Sequence, residues 1–66
     1  MRIRYFTDTD TLLIEFREDG AVAHTRDLDE NTTLDLDAQG NLCALTIEHA
    51  SRRTGIPEFS YQQVAA

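Results

Sequence analysis

Apolar and polar residues alternate along most of this chain, and a period of two is that of a half-buried β-strand. In Arg2–Phe6, Ile3 and Tyr5 point one way and Arg2 and Arg4 the other. Thr7-Asp8-Thr9-Asp10 follows, four short oxygen-bearing side chains that bond locally to backbone and favour a turn. Thr11–Arg17 resumes the alternation, with Leu12, Ile14 and Phe16 on the inner face and Leu13 and Glu15 opposite. Asp19-Gly20 is a strong hairpin signal, because glycine accepts positive φ at little cost. The next segment, Ala21–Leu28, has no clearly apolar face and reads as a twisted or edge strand whose charges discourage edge-to-edge pairing. After a turn at Asp29-Glu30-Asn31, Thr32–Asp37 alternates cleanly: Leu34 and Leu36 inward, Asp35 and Asp37 toward solvent. Ala38-Gln39-Gly40-Asn41 turns the chain again into Leu42–Glu48, with Cys43, Leu45 and Ile47 inward and Ala44, Thr46 and Glu48 outward.

The β pattern stops there. His49–Thr54 has the length of one or two helical turns, ended by Gly55, with Arg52 and Arg53 placed where cations favour the negative end of a helix. Pro57 can open a second short helix, Pro57–Val64, carrying Phe59 and Tyr61 as anchors. The expected fold is mainly β: an antiparallel meander of about five short strands with short C-terminal helical turns. All 66 residues form one small domain, with residues 49–66 as its helical or irregular tail.

A domain of this length buries only about 60% of the surface its unfolded chain exposes. A sheet with one apolar face needs a cover, supplied by the tail, by a partner's sheet or by both. A homo-oligomer, most simply a twofold dimer, is therefore expected. Charge narrows the partners further. The formal net charge is −6 and there is no lysine, which disfavours binding to nucleic-acid phosphates and leaves a basic protein as the alternative partner. A single cysteine excludes an internal disulfide and fits a reducing, cytoplasmic location. No apolar run approaches a membrane span, and the Met-Arg-Ile-Arg-Tyr start lacks the apolar core of a signal peptide.

Several residues invite a chemical reading. Asp35-x-Asp37-x-Gln39-Gly40-Asn41-Leu42 mimics the first half of a calcium-binding EF-hand loop, but the twelfth position, where the loop needs a bidentate Glu, is Thr46. A weak metal module at this acidic turn is the alternative; solvent-facing aspartates flanking a hairpin glycine is the simpler reading. Asp8 and Asp10 could pair as an acid and a base, yet a turn tip offers no cleft, and Asp10 reads as a turn cap. His24, His49 and Cys43 lack the spacing of zinc ligands, and Cys43 falls on the apolar face. Ser51 with a histidine and an aspartate has no nucleophile-elbow signature around it, and its hydroxyl better suits a lock on the strand-to-helix transition. Arg2, Arg4, Arg52 and Arg53 could gather into an anion patch, or simply pair with the excess carboxylates. No set of nucleophile, base and stabiliser emerges, so neither an enzyme nor a cofactor is expected.

Met1-Arg-Ile-Arg-Tyr5, Asp10-Thr-Leu-Leu-Ile14, and Asp35-Leu-Asp-Ala-Gln-Gly-Asn-Leu42 leading to Ile47-Glu-His-Ala-Ser51 together resemble the domain of unknown function 2283 family of short prokaryotic proteins. The resemblance spans roughly Arg2–Ser51 and marks Tyr5, Asp10, Asp35, Asp37, Gly40, Glu48 and Ser51 as motif or interaction positions. Phe6 stands where the family usually has aspartate, Ala44 where it has glycine, and Thr46 where it often has glutamate. The resemblance implies a small β-rich fold and no assigned activity. Some members resemble partners of neighbouring toxin-like proteins, which gives an antitoxin-like binder of a basic toxin or ribonuclease as a further alternative.

Overall fold

Five alternating segments become five antiparallel strands, and the order in which they pair is set by which of them can tolerate an edge. The computed structural model describes residues 1–17, 21–55 and 58–65. The strands are β1 (Arg2–Phe6), β2 (Thr11–Glu15), β3 (His24–Asp29), β4 (Thr32–Leu36) and β5 (Leu42–Ile47), followed by a short helix, α1 (Ala50–Thr54). They form one open sheet in the order β1-β2-β5-β4-β3. The mainly β, antiparallel architecture expected from the alternation is the one found, with one short C-terminal helix.

The strand order refines a plain meander. β1–β2 and β3–β4–β5 are hairpin-connected neighbours, but β5 occupies the place beside β2 that a simple meander would give to β3. Asp19-Gly20 lies outside the described residues, and the two strands it was expected to join as a hairpin are not neighbours. At the end of the sheet that holds the β4–β5 turn, Arg17 meets Asp37 at 3.0 Å and the N–H of Ala23, just before β3, donates to the Leu36 carbonyl at 2.8 Å. In this strand order the most apolar strand gains partners on both sides, and the strand richest in charge, β3, takes an edge with all six residues exposed.

Register fixes the two faces, because residues directly opposite one another share a face. One row runs Ile3–Ile14–Leu45–Leu34, and the next runs Tyr5–Leu12–Ile47–Thr32. Arg2–Glu15–Ala44–Asp35 and Arg4–Leu13–Thr46–Thr33 make up the other face. An irregularity between Asp35 and Leu36 brings Leu36 opposite Leu42, leaving Cys43 as the extra residue of a bulge. Cys43 is buried, as its alternation implied, with Ala44 and Ala50. These are small side chains; no large side chain of the described residues is fully buried. Among the described residues the sheet is therefore a single layer without a core of ordinary thickness on either side.

Residues 58–65 have no regular secondary structure, so the helix expected over Pro57–Val64 does not form in its described part; Pro57 lies outside the described residues. An isolated helix this short is marginal in water. Phe59 and Tyr61, two positions apart, share one side of an extended chain but not one face of a helix.

Candidate functional site

Asp10 hydrogen-bonds two other motif positions, Tyr5 and Ser51. It ends the β1–β2 turn with φ 56°, a left-handed conformation that aspartate tolerates better than most residues. Its Oδ1 accepts a 2.5 Å hydrogen bond from the Tyr5 hydroxyl, and its Oδ2 one of 2.7 Å from the Ser51 hydroxyl. The backbone N–H of Ser51 donates to the same carboxylate at 3.1 Å, and the N–H of Ala50 to the Asp10 carbonyl at 2.9 Å. Those two amides open α1, whose own N-cap, His49, makes no side-chain cap bond and sits at φ 54°. Asp10 thus caps the helix from a turn forty-one positions earlier in the chain. It holds one end of the sheet to the segment that follows β5.

Electrostatics agree with a structural role. The Tyr5 bond, then the Ser51 bond, hold the Asp10 carboxyl below its ordinary 3.8, while the same contact pushes the Tyr5 phenol above 10.0. A carboxylate so stabilised is a poor base. Ser51, moreover, donates directly to the carboxylate, whereas in a serine triad the histidine stands between the two. Tyr5, Asp10 and Ser51 are brought together; the expected turn cap and hydroxyl lock are two halves of one cluster.

The acidic turn lies at the opposite end of the sheet. Asp37, expected to face solvent, is instead buried, with 8% of its surface exposed. The reason is the turn itself. Oδ1 accepts the N–H groups of Gln39 and Asn41 at 2.9 and 2.8 Å, and Oδ2 accepts Arg17 and the Asn41 side-chain amide. The Asn41 amide foremost keeps this carboxyl below its ordinary value. Gly40 completes the turn at φ 86°. Asp35 stays on the polar face and accepts the Thr25 hydroxyl at 3.1 Å. Among the described residues no group of three or more His, Cys, Asp or Glu could hold a metal ion.

The four arginines do not form one patch. Arg4 pairs with Glu15 on β2 at 2.6 Å and lies over the Phe6 ring. Arg53, from α1, reaches Asp29 at 3.0 Å and the Thr32 hydroxyl near the other edge. Glu48 is exposed in the turn before α1, where its N–H donates to the Asn31 carbonyl at 2.8 Å.

What remains is the face carrying Ile3, Tyr5, Leu12, Ile14, Leu34, Leu45 and Ile47. All seven are only half-buried. Across β1, β2, β4 and β5 these rows hold no charged residue; charge borders them at the β3 edge, where Arg26 stands opposite Leu34 and Asp29 opposite Thr32, and at the α1 end, where Arg53 reaches the Thr32 hydroxyl and Asp10 accepts the Tyr5 hydroxyl. Residues 58–65 lie near the β1–β2 end of the face and leave a cleft of about 650 Å³ between Ile3, Tyr5 and Leu12 on one side and Phe59 and Tyr61 on the other. Sequence reasoning found this face through its alternation, but not that the described residues leave its seven side chains half-exposed.

A small, open antiparallel sheet closed by a helical turn that Asp10 caps is the class of protein defined here. The chain belongs to the family described as Protein of unknown function (DUF2283), which matches residues 2–51. Neither the curated proteins nor the solved structures give a match. The matched span includes the Tyr5–Asp10–Ser51 cluster and the acidic turn and ends before the segment that borders the cleft.

Proposed function

We propose that this protein is a non-catalytic interaction module that associates with a second copy of itself through the apolar face of its sheet. The observation that carries this reading is the uncovered face itself: seven apolar side chains on four strands, half-exposed and uncharged. Contiguous apolar patches on soluble proteins commonly mark interaction sites. Self-association suits this face better than a basic partner does. Two chains of net charge −6 repel each other, and the contact that avoids the repulsion is one from which charges are absent. An antitoxin-like binder of a basic protein would instead draw on carboxylates, which, apart from Glu58 beside the cleft, lie among the described residues on the polar face, at the β3 edge and in the turns.

Size-exclusion chromatography with light scattering tests the reading. A species of twice the 7.5 kDa chain mass is expected at micromolar concentration. Ile14→Glu, which places a charge in the centre of the face, should yield a folded monomer. A wild-type monomer at all accessible concentrations would overturn the proposal.

A further inference from the structure

We infer that residues 58–65 are exchanged between two copies, so that Phe59 and Tyr61 of one chain fill the cleft on the sheet face of the other. The inference rests on the self-association reading above and adds the segment that completes the contact. Within one chain the segment lies near the apolar face without packing on it. The cleft of about 650 Å³ is the size of a site for a small organic molecule rather than of a packing defect. Phe59 remains 67% exposed and Tyr61 74%, and all eight residues are exposed. No hydrogen bond or ion pair ties the segment to another described residue. A segment held by so little opens at low cost.

Area argues that the segment takes part in association. Four strands of about five residues, at roughly 4.8 Å between strands and 3.3 Å per residue, give an apolar face of about 320 Å² in projection. A stable interface buries about 800 Å² of accessible surface per partner. Side-chain relief raises the accessible area above the projection, but the sheet face alone stays at the low end of what association needs. Two aromatic side chains can each bury about 150–250 Å², and Val64 adds to them. The segment thus supplies area that the face lacks.

Geometry allows the exchange. Sheets packed face to face lie about 10 Å apart, and eight extended residues reach up to about 26 Å. A second copy also suits the sheet side of the cleft, because Ile3, Tyr5 and Leu12 present no charge there, while Glu58, which lines the cleft too, belongs to the exchanged segment itself. Exchange of identical elements between subunits requires no new surface, since each cleft is filled by the residues that border it in a single chain.

Isotope-labelled and unlabelled wild-type protein, mixed after dissociation and reassociated, test the exchange. Filtered nuclear Overhauser spectra should show contacts between the Phe59 and Tyr61 rings of one chain and the Ile3 and Leu12 methyl groups of the other. A dimer in which these contacts occur only within one chain would overturn the exchange and leave self-association standing; a wild-type monomer would overturn both. As a second measurement, Phe59→Ala with Tyr61→Ala should weaken dimerisation at least about tenfold with an unchanged far-ultraviolet circular dichroism spectrum. An unaltered dissociation constant would also overturn the exchange.

Discussion

At the scale of single residues, three carboxylates act as backbone acceptors rather than as chemistry. Asp10, Asp29 and Asp37 all have carboxyl groups held below their ordinary 3.8, chiefly by Tyr5, by the Asn31 amide and by the Asn41 amide respectively. Each therefore binds its proton more weakly folded than unfolded. The stability each contributes is present above pH 3.8 and is lost as pH falls through the lower, folded value. Melting temperature should accordingly drop on acidification below about pH 4, and Asp10→Asn or Asp37→Asn should lower stability at neutral pH while flattening that acid limb. Tyr5 has the opposite sign: its raised phenol keeps its contribution below pH 10.0 and loses it as pH rises through the folded value. Two backbone positions give paired predictions. Gly40→Ala, at φ 86°, should cost about 1–2 kcal/mol in urea unfolding even though its side chain would meet no atom within 4 Å. His49→Gly, at φ 54°, should instead be neutral or stabilise by up to about 1 kcal/mol by relieving the left-handed strain. The turn role of Gly40 was readable from its neighbours. That of Asp10 was readable only in half: the local turn signal was plain, but nothing in Thr7–Thr11 announces a bond to Ser51 forty-one positions later.

Among the elements, stability should follow place in the sheet. β5 pairs on both sides and holds Cys43 and Ala44, the buried strand residues of the centre. β3 pairs on one side, has an irregular register between Asp27 and Asp29, and is exposed throughout. Native-state hydrogen exchange should therefore be slowest for the paired amides of β5 and at least about tenfold faster in β3. Parity between the two strands would contradict this ordering. Alternation alone placed all five strands to within a few residues, and the charges of Ala21–Leu28 marked an edge strand before any pairing was known. The misplaced element was the helix expected over Pro57–Val64. Proline and two aromatics were compatible with it, but a helix of that length needs a surface to pack on, and Phe59 and Tyr61 do not share a helical face.

For the molecule as a whole, the extents of 35 × 34 × 19 Å describe a plate with one polar and one apolar side. An interface free of charge between two acidic chains responds to salt in a distinctive way. Raising sodium chloride from about 50 to 500 mM screens the long-range repulsion between subunits. The dimer should consequently hold or tighten, read as the dissociation constant by sedimentation or light scattering. A steered acidic–basic contact would weaken over the same range.

The order of apolar and polar residues was enough to specify strands, turns and the inward set Ile3, Leu12, Ile14, Leu34, Leu45 and Ile47, because a two-residue period is a local property of the backbone; Phe16, expected inward with Leu12 and Ile14, lies just past the end of β2 and is exposed. Family membership, too, follows from residues 2–51 read as a string. Two features depended on distant parts of the chain meeting in space. β5 lies between β2 and β4, and Asp10 caps the helix that follows β5. Pairing between distant segments is decided by the total burial and hydrogen bonding of the assembled sheet, and no local window contains those partners. Whether the inward face finds a cover is a question of the same kind: alternation identifies which side is apolar, and only the three-dimensional arrangement leaves that side open.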